Sequence, residues 1–187
     1  MGNGKMLSTS GKLGKKMQAQ DAAEWGVCHI ISSFRPIIGG AERATENLCR
    51  ELRNLGLDVI LLTKHRPGLP RYEQIAGVPV YRLGLYGPRL FRSAVFVLHA
   101  LLWILLRMRR YPIIHVQNID SPLLVGLLAK LLLGKRLVIT LQGEQKITME
   151  KATNIGQWRV KLMAKFGDLF VALTEECRRQ FIREGVG

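Results

Sequence analysis

The segment SSFRPIIGGAE, residues 32–42, holds the residue types best suited to meeting an anion. Gly39 and Gly40 can take positive φ and let a ligand oxygen come close to the backbone. A helix starting near Ala41 would add unpaired N–H groups and the positive end of its dipole. The same pair could simply turn the chain from a strand into a helix. Glu42 is an acid in the first helical turn, placed either to stabilise that terminus or to hydrogen-bond a substrate hydroxyl. The pattern is neither the dinucleotide fingerprint G-x-G-x-x-G nor a P-loop, since no Lys-Ser/Thr follows the glycines.

The elements that must position this loop alternate along the chain. VCHIISS (27–33), DVILLT (58–63), GVPVYRL (77–83), YPIIHVQN (111–118), KRLVITLQGE (135–144) and DLFVALT (168–174) read as short strands. Most are apolar along their length, as strands buried on both faces are. Helices are expected at 41–56, with Ala41, Ala44, Leu48, Leu52 and Leu55 at spacings of three and four and Gly56 as the stop. Others are expected at 89–110, at 121–134 with Ser121 as N-cap, at 155–167 and at 175–185. KHRPGLPRYEQ (64–74), with two prolines and a glycine, interrupts the pattern. Strands alternating with helices predict an α/β fold, a doubly wound, mostly parallel, Rossmann-like sheet. Ligands in such sheets bind outside the carboxyl ends of the strands, which singles out the loops at Ser33, Asn118, Gln142 and Thr174.

Composition bounds the rest. At 187 residues, 48% hydrophobic and 22% charged, the chain fits one ordered domain of ordinary size. The domain is expected over residues 25–187, after a flexible basic tail at 1–24 that has no apolar h-region and so no signal peptide. Cys28, Cys49 and Cys177 are odd in number and widely spaced, which reads as buried free thiols in a reducing cytoplasm. His29, His65, His99 and His115 have no metal-ligand spacing, so no metal is expected.

The formal net charge of +14 implies anionic partners. Between Gln74 and Ile119 there is no acid, while Arg82, Arg89, Arg92, Arg107, Arg109 and Arg110 all fall there. Within this stretch, Ala94–Leu106 is a thirteen-residue apolar run broken only by His99, too short to span a bilayer. Flanked by Arg89, Arg92, Arg107, Arg109 and Arg110, such a helix could lie in an anionic lipid interface or pack on the sheet. No nucleic-acid motif is present and aromatic residues are sparse in the basic stretch, which ranks nucleic acid low as a partner.

HIISSFRPIIGGAERATENLCRELRNLGLDVILLT, then PIIHVQN, LVITLQGE and GDLFVALTEECRRQFIREGVG, resemble in order the amino-terminal domain of GT-B glycosyltransferases, specifically the retaining family 4. The resemblance covers residues 27–187. It implies a nucleotide-sugar as substrate, no cofactor, and a glycan or lipid-linked acceptor. Substrate contacts would come from Gly39, Gly40, Glu42, Asn118, Gln142, Gly143, Glu144 and Thr174. Gln142 stands where the family often has His; it can hydrogen-bond sugar hydroxyls but cannot titrate as a base, and no catalytic residue is assigned in this chain.

The family's second domain carries most donor contacts, and no residues here stand for it. The resemblance therefore implies the acceptor-side half of a glycosyltransferase, inactive alone and needing a further domain or a separate C-terminal donor-binding subunit. Its expected setting is cytoplasmic and peripheral, at the inner face of the membrane, in polysaccharide or glycolipid synthesis. The competing reading is a non-catalytic Rossmann-like binding or membrane-scaffold module.

Overall fold

The computed structural model describes residues 26–107, 110–141 and 154–183. The expected tail at 1–24 and the positions Arg109, Gln142, Gly143 and Glu144 lie outside these residues. In chain order the elements are β1 (Gly26–Ile30), α1 (Gly40–Asn54), β2 (Asp58–Lys64), β3 (Tyr72–Ile75), β4 (Val78–Leu83) and α2 (Arg89–Leu106). They continue with β5 (Ile113–Val116), α3 (Ser121–Leu133), β6 (Arg136–Leu141), α4 (Asn154–Phe166), β7 (Leu169–Ala172) and α5 (Glu175–Arg183).

The seven strands form one sheet in the order β3-β4-β2-β1-β5-β6-β7. Every neighbouring pair is parallel except β3 with β4. This is the expected doubly wound sheet. The chain leaves β1 toward β2 on one side and returns to β5 on the other, so the crevice where strand order reverses opens between the carboxyl ends of β1 and β5.

Two apolar layers sandwich the sheet. Cys28, Ile30, Ile60, Leu62, Ile114, Val116, Leu137 and Ile139 point to the face covered by α2, α3 and α4 through Phe96, Ala100, Trp103, Leu123, Leu127, Val160 and Met163. Alternate residues Val27, Ile31, Val59, Leu61, Val78 and Val80 pack on the opposite face with Phe34 and with Cys49 of α1. β1 is buried at all five positions, as a central parallel strand must be.

Three details depart from the sequence reading. β3 was not expected; it forms a hairpin with β4, in which Ile75 pairs with Val78. The turn residues Ala76 and Gly77 take φ of 49° and 77°, the paired positive values of a tight hairpin turn, without the usual Asn or Asp to announce it. β3 is an edge strand with Tyr72 and Gln74 exposed, so a polar composition suffices. In α1 the buried stripe runs through Glu42, Thr45 and Cys49, while Leu48 and Leu55 are exposed. In α3 the N-cap is Asp120, one residue before the expected Ser121, and Gly134 closes the helix with φ 64°.

Candidate active site at the carboxyl edge of the sheet

The loop after β1 is held by side chains from both sides. Ser33 Oγ donates to Glu42 Oε1 at 2.7 Å, and the Gly39 N–H donates to Glu42 Oε2 at 3.0 Å. Glu42, only 8% exposed, therefore turns back onto its own helix terminus, satisfying an orphan donor as half of a capping box does. Arg35 grips Glu46 of α1 with Nε to Oε2 at 2.6 Å and Nη2 to Oε1 at 3.0 Å. The Arg35 carbonyl accepts from Nη2 of Arg82 at 2.8 Å.

Positive φ at the glycine pair is not what the backbone adopts. Gly39 has φ −109° and ψ −176°, and Gly40 is the first residue of α1, outside the set of positive-φ glycines. What the absence of side chains does provide is space. A Cβ at Gly40 would meet no atom within 4 Å, whereas one at Gly39 would lie 2.6 Å from Glu42 Oε2. The open side of Gly40 remains available to a ligand.

Asn118 and Thr174 stand at the strand ends where they were expected, and both make internal bonds. Asn118 Oδ1 accepts from the Ser32 N–H at 3.4 Å, tying the loops after β1 and β5 together. Thr174 Oγ1 accepts from the Cys177 N–H at 3.2 Å and so caps α5.

Sequence reasoning missed a polar cluster between β1, β2 and β5. Asp120 occupies the N-cap of α3 but makes no side-chain bond to that helix. Its carboxylate accepts from Ser32 Oγ at 2.7 Å and faces Lys64 Nζ at 3.5 Å. Lys64 is the last residue of β2, its side chain 14% exposed and its ammonium 5.8 Å from the centre of the Phe96 ring. Burial pushes its pKa down, Asp120 opposes that, and the charges of Arg92 and Arg89 push further down. The only sequence signal was position: a lysine ending an apolar strand, and an Asp directly before a Ser-Pro helix start.

On the other face of the sheet, a cleft of about 300 Å³ lies between the β1–α1 loop and the β3–β4 hairpin, lined by Arg35, Pro36, Ile38, Leu69, Glu73, Ile75 and Arg82. Arg82 is 2% exposed, paired with Glu73 and donating to the Arg35 and Pro70 carbonyls. It is a strut of the fold, not part of a basic surface.

The remaining arginines do not form one patch either. Arg89 and Arg92 stand at the start of α2, beside the carboxyl edge. At the far end Arg107 lies 4.1 Å from the centre of the Trp103 ring, and Arg110 pairs with Asp58, the first residue of β2, at 2.5 Å. An 18-residue helix separates the two groups by roughly 27 Å.

Beneath the crevice His29 and His115 face each other in register on β1 and β5, ring centres 4.7 Å apart. His115 Nε2 lies 2.7 Å from Thr140 Oγ1, while neither ring nitrogen of His29 has a partner. Burial drives both pKa values down, with the neighbouring His115 adding to the effect on His29; His115 falls to about 4. Both rings are neutral at pH 7 and closed off from substrate. All three cysteines are free and buried, and burial holds Cys49 at about 12, so none is a nucleophile. Among the described residues no group of three or more His, Cys, Asp or Glu could hold a metal.

Known proteins of related sequence and shape agree with this arrangement. The chain is 25% identical over 181 residues to a GDP-mannose:cellobiosyl-diphosphopolyprenol alpha-mannosyltransferase of Xanthomonas oryzae pv. oryzae, covering 86% of this chain and 46% of that protein. It thus spans about half the length of the curated relative it matches. Sucrose-phosphate synthase from Thermosynechococcus elongatus superposes with a TM-score of 0.65 at 18% identity, over 87% of this chain and 45% of the synthase. A shorter chain of the same synthase gives 0.64 at 18% identity, with 87% and 83% covered. The family model of Glycosyltransferase Family 4 matches residues 38–187, from the glycine loop to the last residue, and the chain belongs to that family.

Proposed function

We propose that this chain is the acceptor-side half of a glycosyltransferase that moves a sugar from a nucleotide-sugar to a lipid-linked or cell-surface glycan. Family membership over residues 38–187 carries the reading. The carboxyl-edge crevice, with a glycine-lined opening at Gly40 and hydrogen-bonding groups at its rim, is a fitting place for it. In the transfer, the bond between the anomeric carbon and the nucleoside diphosphate breaks, and the diphosphate leaves with the electron pair. An acceptor hydroxyl forms the new bond and loses its proton. Charge develops on the leaving diphosphate and needs preorganised donors; we assign most of these to a further domain or a separate subunit. The Xanthomonas relative is named for a GDP-mannose donor and a diphosphopolyprenol acceptor, so a GDP-sugar and a glycan diphosphate lipid are the pair to assay first.

The reading places the domain at the cytoplasmic face of a membrane, docked through α2. This helix is apolar and long enough to cross a membrane by composition alone, yet its two ends join β4 and β5 of one sheet. Phe96, Ala100, Trp103 and Ile104 bury one face on that sheet. Phe91, Leu98, Leu102 and Leu105, at helical spacing, are exposed on the other, beside Leu106 at 80% exposure. A stripe of this kind, flanked by Arg89 and Arg107, suits an anionic lipid interface.

The test is sugar transfer by the full protein, supplemented with a donor-binding partner where one is encoded, alongside flotation on liposomes with and without anionic lipid. Transfer from a GDP- or UDP-sugar, with flotation abolished in Leu98→Glu/Leu102→Glu, supports both parts. Absence of transfer with every nucleotide-sugar would return the chain to a non-catalytic binding module. Flotation unchanged in the double variant would remove α2 from the membrane.

A further inference from the structure

We propose that Lys64, Arg89 and Arg92 form a phosphate subsite that holds the phosphate or diphosphate ester of the acceptor at the carboxyl edge of the sheet. The proposal deepens, and rests on, the transferase reading above.

Three cations converge from two elements: Lys64 ends β2, and Arg89 and Arg92 occupy the first turn of α2. They lie close enough for both guanidinium charges to act on the Lys64 ammonium. One carboxylate, Asp120, answers them at 3.5 Å from Lys64, and it is already shared with the Ser32 hydroxyl. Arg92 Nε is buried without a hydrogen-bond partner. A buried charged donor left unmade is costly, and like charges brought together are costlier still.

The local placement is also against helix electrostatics. The first turn of α2 has no acid and no side-chain cap, with Pro88 before it, and carries two arginines where the helix dipole is positive. Sequence and structure thus agree on a site that is repulsive when empty. A phosphate monoester or diphosphate resolves all of it at once, accepting from Arg92 Nε, Lys64 Nζ and the free N–H groups of the helix start. Such contradictions of a local rule concentrate at functional sites. The cluster sits beside the β1–β5 crevice and on the α2 side of the sheet. A lipid-linked diphosphate could therefore leave its chain in the bilayer against the Leu98–Leu105 stripe while its phosphates reach Lys64.

Inorganic pyrophosphate is the probe. The full protein is titrated with it at fixed ionic strength, by calorimetry and by thermal melting, as wild type and as Lys64→Met, Arg92→Met and the charge-matched control Arg50→Gln. Pyrophosphate should raise the melting temperature of the wild type and of Arg50→Gln. Its affinity should fall at least tenfold in Lys64→Met and in Arg92→Met. Without the anion, Arg92→Met should melt at or above the wild-type temperature, because a repulsion has been removed; this separates loss of a site from loss of folding. Equal pyrophosphate affinity in all four proteins would overturn the proposal, as would a lower anion-free melting point in Arg92→Met.

Two further arms separate the sources of phosphate and the two readings. If the natural ligand is the acceptor diphosphate, pyrophosphate should inhibit transfer competitively with acceptor and leave vesicle binding unchanged. If it is a bilayer headgroup, pyrophosphate should release the protein from phosphatidylglycerol vesicles. Pyrophosphate binding that depends on Lys64 and Arg92 in a protein without transfer activity would keep the subsite and discard the transferase. Transfer with unaltered acceptor KM in both methionine variants would do the reverse.

Discussion

Two helices begin at the carboxyl edge of the sheet, and their first turns are opposites. α1 starts from Gly39 and Gly40 and supplies its own anion, Glu42, whose carboxylate accepts from the Gly39 N–H and from Ser33. Arg43 follows, turned to solvent. α2 starts from Pro88 with no acid and no cap, and sets Arg89 and Arg92 beside Lys64. The first terminus is satisfied from within; the second is left with excess positive charge. A helix N-terminus is an anion site only while its donors are free. By that measure the glycine loop, the more conspicuous motif in the sequence, offers close approach, and the α2 terminus offers charge.

The largest effect expected concerns the interior that both termini share. Unfolded histidine titrates near 6.5 and His115 in the fold near 4. Between these values the unfolded chain binds more protons, so stability must fall as pH drops from about 6.5 toward 4, by about 3 kcal/mol for this ring alone. Urea midpoints measured from pH 8 to pH 4 should show that slope, and His115→Asn should show a shallower one. An unchanged slope would place the acid sensitivity elsewhere, among the carboxylates at the helix ends.

Gly40→Val sharpens the comparison at α1. The added side chain enters open space, so melting should stay within about 2 °C, while transfer in the full enzyme should fall about 100-fold as substrate is displaced. Near-normal turnover in the folded variant would reduce the glycine pair to a strand-to-helix turn.

Glu42→Ala should cost about 1 kcal/mol of stability through the lost cap, read from denaturant midpoints. It should also raise affinity for pyrophosphate, because the internal anion no longer competes for the Gly39 N–H. If pyrophosphate affinity is untouched, the α1 terminus is not an anion site even when vacant.

The smallest effect belongs to Arg35→Gln. Its pair with Glu46 is well formed, but the Arg35 side chain is 42% exposed, so stability should change by about 0.2–1 kcal/mol. A larger loss would mean that the ion pair, rather than Glu42, holds the loop after β1.

The alternation of apolar strands and amphipathic helices was legible from sequence because burial on two faces leaves no room for polar residues in β1, β2, β5 and β6. Helix stops at Gly56 and Gly134 and the Glu42 terminus followed from local chemistry that acts within one turn of chain. β3 escaped because an edge strand with one exposed face needs no apolar pattern, and its Ala76-Gly77 turn lacks the usual residues. Gln142, Gly143, Glu144 and Arg109 lie outside the described residues, so their place in the site is carried by sequence alone.

What only the tertiary structure decided are the meetings of residues far apart in the chain. His29 faces His115, 86 residues on, because β1 and β5 are parallel neighbours in register. Ser32, Lys64, Asp120 and Arg92 converge because three strands and one helix end at the same edge. The arginines of residues 82–110 read as one basic patch in sequence, but the fold buries Arg82 and sends the rest to opposite ends of α2. Spacing along a chain fixes what a helix or strand presents; which of those faces meet is set by strand order, and that depends on the packing of the whole sheet.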